Sequence, residues 1–393
     1  MWERPGMPRD RSGITPAWVR RALQAGGVDV PEIAGMSVED VGAGAGQMGE
    51  VLRSRLTWEG AVHDLPKSVI IKLPSRSART RRISRGMRLY KREYDFYRHV
   101  AREAPVRSPR LLYGSYDGRR DDFVLVLEDL SGMVSEDIIE GAGPDRTKSA
   151  LQSIAALHGR YWNRLHRPPL SNTCEVIGTR IRVQAQIAYL AALPSTLGRF
   201  AKPFTPETRR LAEDLGPRVA DFLQEMLSGP SSFVHGDYHL NNLFFGLSNG
   251  GEVAVIDWQT SGPNNPLLDV ALFMSRSVRS EVRRQIEREA VEVYWEALRR
   301  AGAGGFGLEE CWRHYRMSML FSLIIMVLGA GNLGSGERLD SADFEDILRR
   351  VTTASEELDA AEFIPGRRRF VSAARAFSAL SGLGYRVYRA MRR

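Results

Sequence analysis

The octapeptide HGDYHLNN, His235 to Asn242, sets two histidines, an aspartate and two asparagines between the apolar stretches SSFV and LFF. Asn, Asp and Gly are turn formers, so an ordinary loop accounts for that composition. A catalytic loop accounts for it as well. Asp237 and Asn242 stand five positions apart. A carboxylate can take the proton of an attacking alcohol, and an amide oxygen is a hard donor suited to magnesium. Downstream, VAVIDWQ brings Asp257 to the end of an apolar run, at a hairpin's distance from Asn242, where a second metal ligand would fall.

His235 and His239, four apart, raise a zinc site as the competing idea. That spacing serves zinc when both histidines share one face of a helix and a third ligand lies elsewhere. Here the context is a Gly-Asp loop with no further Cys or His close in sequence, so His235 reads as a residue that packs and shapes the loop.

Two more features complete the constellation. Lys72 lies within IIKLP, where a strand lysine is ordinarily an edge residue facing water; Glu93 on the following helical stretch changes that reading. A strand lysine held by a helix glutamate is how kinases aim an ammonium at the α- and β-phosphates of a nucleotide. Residues 44 to 51, GAGQMGEV, form a G-x-G-x-x-G-x-V arrangement whose Gly44, Gly46 and Gly49 let backbone N–H groups approach phosphate oxygens, with Val51 beside them. A dinucleotide fold shares this string but needs a helix directly after it, whereas EVLRSRLTWEG alternates like a strand. A strand-loop-strand cover is the kinase arrangement, and there Asp237 and Asn242 match the spacing of H-R-D-x-x-x-x-N.

The elements that must carry these residues fall into two parts. SVIIKLP from Ser68 and DFVLVLEDL from Asp122 are β-branched, apolar runs bounded by Pro, Asp and Gly, as short strands are. Between them GMRLYKREYDFYRHVAREA places Leu89, Tyr90, Tyr94, Tyr97 and Val100 at helical spacing, closed by Pro105. From about Asp145 the pattern is helical, interrupted once by the strand-like SSFV, NLFF and EVAVIDW. The expected architecture is α+β and bilobal. A small antiparallel-sheet lobe over 1–130 would bind nucleotide, a larger helical lobe over 131–365 would hold the catalytic loop and the acceptor, and a basic helical tail would fill 366–393. Glu128 to Gly132, EDLSG, is the natural hinge.

Composition narrows the class. The 393 residues are 43% hydrophobic and 26% charged, an ordinary globular balance. No apolar stretch follows the charged opening MWERPGMPRDRSG, and the longest apolar run, MSMLFSLIIMVLGAG from Met317, is short of the ~20 residues of a membrane span. Neither an export signal nor a transmembrane segment is therefore expected. Cys174 and Cys311 stand far apart, which fits reduced thiols in a cytoplasm. The net charge of +8 raises a polyanionic partner. Basic residues concentrate between Lys72 and Arg92 and at the C-terminus, but no aromatic-studded basic groove accompanies them, so nucleic acid is not expected.

With these residues in view, the chain resembles the aminoglycoside phosphotransferase superfamily, which has a protein-kinase-like fold and uses HGD and IDW where protein kinases have H-R-D and D-F-G. ITPAWVRRAL, LPKSVIIKLP, KREYDFY, LVLEDL, FVHGDYHLNNLFF and VIDWQTSGPNNPLLDVALF are similar to its ecdysteroid-kinase-like branch. The resemblance spans about residues 14 to 275. It implies that Asp237 is the catalytic base, that Asn242 and Asp257 are metal ligands, and that Lys72 with Glu93 orients the phosphates. It further implies that the backbone from Glu128 to Leu130 meets adenine, and that Asp269 ties the helical lobe to the catalytic loop. ATP and Mg²⁺ or Mn²⁺ are the implied cofactors, with ATP against GTP left open.

The expected function is transfer of the γ-phosphoryl group to a hydroxyl of a small organic molecule. Phosphorylation of Ser or Thr in an acidic precursor peptide is the first alternative, and a nucleotide-binding pseudo-kinase scaffold the second. Only twelve positions separate Asp257 from Asp269, with no A-P-E, which leaves no room for the activation segment of a regulated protein kinase. The segment from Pro144 to Phe204 is where an acceptor lid would lie. Its charge is mixed, Asp145 and Glu175 standing against Lys148, Arg160, Arg164, Arg167, Arg180, Arg182, Arg199 and Lys202, so with the net positive charge a neutral or acidic acceptor is expected over a polycationic aminoglycoside.

Overall fold

The computed structural model describes residues 5–41, 48–60, 64–170, 178–247, 251–332 and 341–366. Gly44 and Gly46, Cys174 and the basic tail lie outside the described residues.

Five strands form one antiparallel sheet in the order β1-β2-β3-β5-β4: β1 (Ile33–Asp40), β2 (Gly49–Trp58), β3 (Ser68–Pro74), β4 (Leu111–Asp117) and β5 (Asp122–Glu128). The alternation of β5 sends Val124 and Val126 to one face and Phe123, Leu125 and Leu127 to the other, and all five are buried. A strand covered on both faces reads as the continuous apolar run seen in the sequence. On one side lies α1 (Pro16–Ala25), entered through a Thr15 cap that accepts the Trp18 N–H at 3.2 Å and burying Trp18, Val19, Ala22 and Leu23. On the other lies α3 (Leu89–Asp95), whose Tyr90 stacks on Phe123 at 4.6 Å between ring centroids.

The stretch expected as one helix is divided. Arg88 takes a left-handed conformation, φ 56°, and separates α2 (Ala78–Met87) from α3. α3 then widens into a π-turn over Phe96–Val100. The middle of the basic run thus lies on a short helix of its own, with Arg79, Arg82 and Arg85 exposed, while Arg76 precedes it and Lys91 and Arg92 lie on α3.

Beyond the hinge come β6 (Val134–Ser135), α4 (Pro144–Arg160), α5 (Thr179–Arg199), α6 (Pro206–Leu215) and α7 (Val219–Leu227). The strand-like interruption becomes β7 (Ser232–Val234), β8 (Leu243–Phe245), β9 (Val253–Val255) and β10 (Gly262–Asn264), with β6-β8-β9 and β10-β7 as two small antiparallel sheets. Helices α8 (Leu267–Arg276), α9 (Ser280–Arg300), α10 (Leu308–Asn332) and α11 (Ser341–Glu357) complete the lobe. Among the described residues α10 is the one helix long and apolar enough to cross a membrane, and 67% of that window is buried. It packs on α5, α8 and α11 as a core helix does.

The architecture is therefore the expected one, a small antiparallel-sheet lobe joined to a larger helical lobe in the protein-kinase-like manner. An aromatic stack crosses between them: Trp258, from IDW, lies 3.7 Å from Phe96 between centroids with the rings 8° from parallel, and Phe233 of β7 continues the stack.

Candidate active site

Each functional side chain is set by an element whose sequence explains it. Lys72 sits in β3 opposite Val51 of β2 and Leu125 of β5. Gly49 opens β2 where the chains pass closest, since a Cβ there would stand 2.6 Å from the Leu73 carbonyl oxygen. Facing Lys72 is Glu93 on α3, its side chain only 1% exposed.

Lys72 Nζ donates to Glu93 Oε1 at 2.5 Å and to Asp257 Oδ1 at 2.8 Å. One ammonium thus joins the sheet, the helix α3 and the IDW turn. Burial works against the charged lysine, but the carboxylates of Asp257 and Glu93 outweigh it and hold its pKa above the ordinary range. Burial pushes Glu93 up to about 7, with Lys72 opposing that rise. At 2.5 Å from an ammonium, Glu93 is the partner that keeps Lys72 in place. A second clasp lies one residue earlier, where Arg92 Nη1 donates to the Ser261 carbonyl at 2.9 Å.

The catalytic-loop candidate leaves β7 and is held from behind. Asp269 of α8 is fully buried. Its Oδ2 accepts the His235 N–H at 2.7 Å and its Oδ1 the Gly236 N–H at 2.8 Å. His158 of α4 donates from Nε2 to Asp269 Oδ2 at 3.1 Å and accepts the Tyr294 hydroxyl at Nδ1, 2.9 Å. Gly236 takes φ 84°, and a Cβ there would meet the Thr260 carbonyl oxygen at 2.5 Å. His235 donates from Nε2 to the Ile256 carbonyl at 2.8 Å and accepts the Asp237 N–H at Nδ1, 3.3 Å. Both its ring nitrogens are spent inside the loop, and among the described residues no three His, Cys, Asp or Glu side chains converge as a metal cluster. Among the described residues the zinc alternative has neither a free His235 nor a third ligand.

Asp237 points into the site with a side chain 30% exposed. Its Oδ1 accepts from Arg276 Nη1 at 2.8 Å, and its Oδ2 lies 3.3 Å from His239 Nε2. Burial opposes ionisation of this carboxyl, yet His239 and Arg276 outweigh it and hold the pKa well below the usual carboxylate range. His239 itself is pushed down, chiefly by burial. Asn242 donates from its amide nitrogen to the Asp237 carbonyl at 2.9 Å, which leaves the amide oxygen for another partner. The Ile256 N–H bonds the Asn242 carbonyl at 3.0 Å, so Asn242, just before β8, and Asp257, just after β9, stand at the same end of the β8–β9 pair. Asp257 adopts φ 64° and ψ 63°, a left-handed conformation that turns its carboxylate back toward Lys72.

A magnesium ion fits this donor set. Asn242 and Asp257 offer hard oxygens from the ends of two neighbouring strands, and magnesium ordinarily takes one or two protein ligands, the rest coming from phosphates and water.

At the hinge the picture is finer than the sequence indicated. The Glu128 N–H bonds the Arg110 carbonyl at 2.9 Å, and the Leu130 carbonyl accepts the Met133 N–H at 2.8 Å, closing a turn. The Glu128 side chain pairs with Arg107 at 2.5 Å and caps the Arg110 N–H at 2.9 Å. Asp129, bonded by Ser68 at 2.6 Å and Arg53 at 2.8 Å, pins the hinge to the sheet.

Lys72, Glu93 and Asp257 are in direct contact, as are Asp237 and Asn242, and the two groups meet along β8 and β9. Sequence reading missed Arg276 and the His158–Tyr294 pair. Arg276 carried one signal, its place seven residues, two helical turns, beyond Asp269.

No curated protein matches the sequence. Among solved structures, a Ralstonia eutropha JMP134 protein provisionally named an aminoglycoside phosphotransferase superposes with a TM-score of 0.53, at 18% identity over 89% of this chain and 98% of its own. A microcompartment-associated aminopropanol kinase gives 0.50, at 15% identity over 88% and 99%. Both share the fold described above. The family model described as "Phosphotransferase enzyme family" matches residues 61–309, a span that contains Lys72, Glu93, Asp237, Asn242, Asp257 and Asp269. More than half of the sequence lies within that match, and the chain belongs to the phosphotransferase enzyme family of the aminoglycoside phosphotransferases.

Proposed function

We propose that the protein transfers the γ-phosphoryl group of ATP, with Mg²⁺, to a hydroxyl of a small neutral or acidic organic molecule. The observation that carries this reading is Lys72 bridging Glu93 and Asp257 at 2.5 and 2.8 Å, which brings the phosphate-orienting and metal-binding groups to one point. Lys72 aims its ammonium at the α- and β-phosphates, held by Glu93. Asn242 and Asp257 hold the metal, which when bound neutralises the phosphate oxygens as charge develops on them. Gly49 at the start of β2 lets the backbone come close to the phosphates, and the backbone from Glu128 to Leu130 borders the base.

Asp237 accepts the hydrogen bond of the attacking hydroxyl and aligns its oxygen with the phosphorus. The new O–P bond forms as the bond from phosphorus to the bridging oxygen breaks, ADP departs with that electron pair, and the hydroxyl proton passes to Asp237. Its low basicity suits a loose transition state, where the proton leaves late and positioning matters more than base strength. The net charge of +8 supports an acceptor that is not a polycation.

The test is ATP consumption and phosphoryl transfer by the purified protein over a panel of alcohols, sugars, hydroxy acids and kanamycin. Turnover should require Mg²⁺ or Mn²⁺, and Asp257→Ala should abolish it while the fold stays cooperative. Full activity of that variant, or in EDTA, would overturn the metal assignment.

A further inference from the structure

The two oxygens of Asp237 face different groups, and that asymmetry identifies the acceptor side of the site. Oδ2 lies by His239, whose Nε2 is also 3.3 Å from Asn242 Nδ2. Asn242 and Asp257 mark the side on which the proposed function places metal and nucleotide. Oδ1 instead accepts from Arg276 at 2.8 Å. An alcohol that attacks in line with the leaving phosphate must reach Asp237 from the side the phosphates do not occupy, so Arg276 borders the acceptor.

Arg276 is fixed there. Arg350 of α11, itself 5% exposed, donates to the Ile138 carbonyl at 2.7 Å and to the Arg276 carbonyl at 3.3 Å. The next residue, Ser277, accepts the Leu240 N–H of the catalytic loop at 2.9 Å. The Arg276 side chain is 14% exposed, and Asp237 is its one ion-pair partner among the described residues. Its Nε is buried without a hydrogen-bond partner. A guanidinium carries five N–H donors in a planar fork that matches the paired oxygens of a carboxylate or phosphate. Among the described residues one of the five is bonded, to Asp237, on a side chain largely shielded from water.

Resting on the proposed function, we propose that Arg276 is a specificity-determining residue that binds an anionic substituent, carboxylate or phosphate, of the hydroxyl acceptor. The spare N–H groups of the fork take two oxygens of that substituent while Asp237 takes the hydroxyl. Hydroxy acids and phosphorylated alcohols satisfy both groups; a polyamine brings its charge against the guanidinium.

The experiment compares glycerol, glycerate, glycerol 3-phosphate and kanamycin as acceptors for wild type, Arg276→Lys and Arg276→Gln, using ratios of kcat/KM within each variant. Any general loss through Asp237 cancels in those ratios. Wild type should favour at least one anion over glycerol by roughly tenfold to a hundredfold, the usual effect of a charge-assisted pair. In Arg276→Gln that ratio should fall toward one through a raised KM for the anion, and Arg276→Lys should lie between. The glycerate and glycerol 3-phosphate arms separate carboxylate from phosphate.

A preference for glycerol or kanamycin in wild type would overturn the proposal, as would an anion preference that survives Arg276→Gln. So would an equal fall in kcat for all acceptors, which would make Arg276 only a positioning group for Asp237. If none of the four is phosphorylated, calorimetric titration of the two anions into the ADP–Mg²⁺ complex decides: binding by wild type that Arg276→Gln loses is the expected result, and no binding to wild type overturns it. Failure of the broader reading would look different, as ATP turnover indifferent to Asp237→Asn and Asp257→Ala.

Discussion

Asp269 grips Gly236 through a 2.8 Å hydrogen bond from the glycine's backbone N–H, in a fully buried site where the same carboxylate also holds the His235 N–H and His158. A buried carboxylate satisfied by three donors costs little; a donor left there without its acceptor costs much. Asp269→Asn replaces an accepting oxygen by an amide nitrogen that faces an N–H. We expect about 3 kcal/mol of lost stability in urea unfolding. Activity should fall further than the folded fraction does, because the loop behind Asp237 loses its tie. A variant with wild-type stability and turnover would contradict the role of Asp269.

Gly236→Ala tests the same loop from the other side. The position has φ 84°, and the added Cβ would meet the Thr260 carbonyl at 2.5 Å, so the IDW turn and the loop must part. Turnover should drop by an order of magnitude or more with ATP affinity less affected, a split that isothermal titration and steady-state kinetics would read. An unchanged kcat would mean that the loop tolerates the shift.

Much of the site was legible because its chemistry is local in sequence. Asp237 and Asn242 belong to one loop and Asp257 to the turn after the strand pair that follows it, so spacing alone brought them together. Lys72 and Glu93 were legible as a strand residue followed by a helix residue. What spacing could not give was contact across long separations: Arg276 to Asp237, His158 to Tyr294, Arg92 to Ser261. Those pairings depend on how helices pack, which periodicity does not encode. The fold itself was read at the level of lobes, and the break at Arg88 was missed because a left-handed arginine carries no compositional signal.

Lys72 and Glu93 act as one unit, and a double-mutant cycle should show it. Glu93 is 1% exposed, so Lys72→Ala strands a buried carboxylate and Glu93→Ala frees the lysine to lean on Asp257 alone. Each single variant should weaken productive ATP binding. The double variant should cost clearly less than the sum, by on the order of 1–3 kcal/mol of coupling. Strict additivity would separate the two residues.

Removing the Asp237 carboxylate should lower turnover by roughly two to four orders of magnitude. Asp237→Asn keeps the shape, and ATP affinity should change little if, as proposed, the nucleotide binds on the Asn242 and Asp257 side. Since His239 and Arg276 hold the Asp237 pKa well below the usual range, the wild-type rate should show no loss from this group down through pH 5. Wild-type turnover by the variant on the true acceptor would mean that Asp237 is not the group that receives the hydroxyl.

The last prediction concerns stability rather than catalysis. His314 on α10 is 7% exposed, and its Nδ1 accepts the Asn265 amide N–H at 3.0 Å. Burial, with Arg313 nearby, lowers its pKa to about 4, while an unfolded histidine titrates near ~6.5. The unfolded chain therefore binds a proton over a range where the native ring does not, and stability falls as pH drops from 6.5 toward 4. Protonating Nδ1 also breaks the bond from Asn265. Between pH 7.5 and pH 5 this group should remove roughly 2 kcal/mol from the unfolding free energy. Urea titrations of wild type and His314→Gln at the two pH values would isolate it. The variant should start less stable at pH 7.5 and lose less on acidification, whereas an identical acid loss in both proteins would place the sensitivity elsewhere.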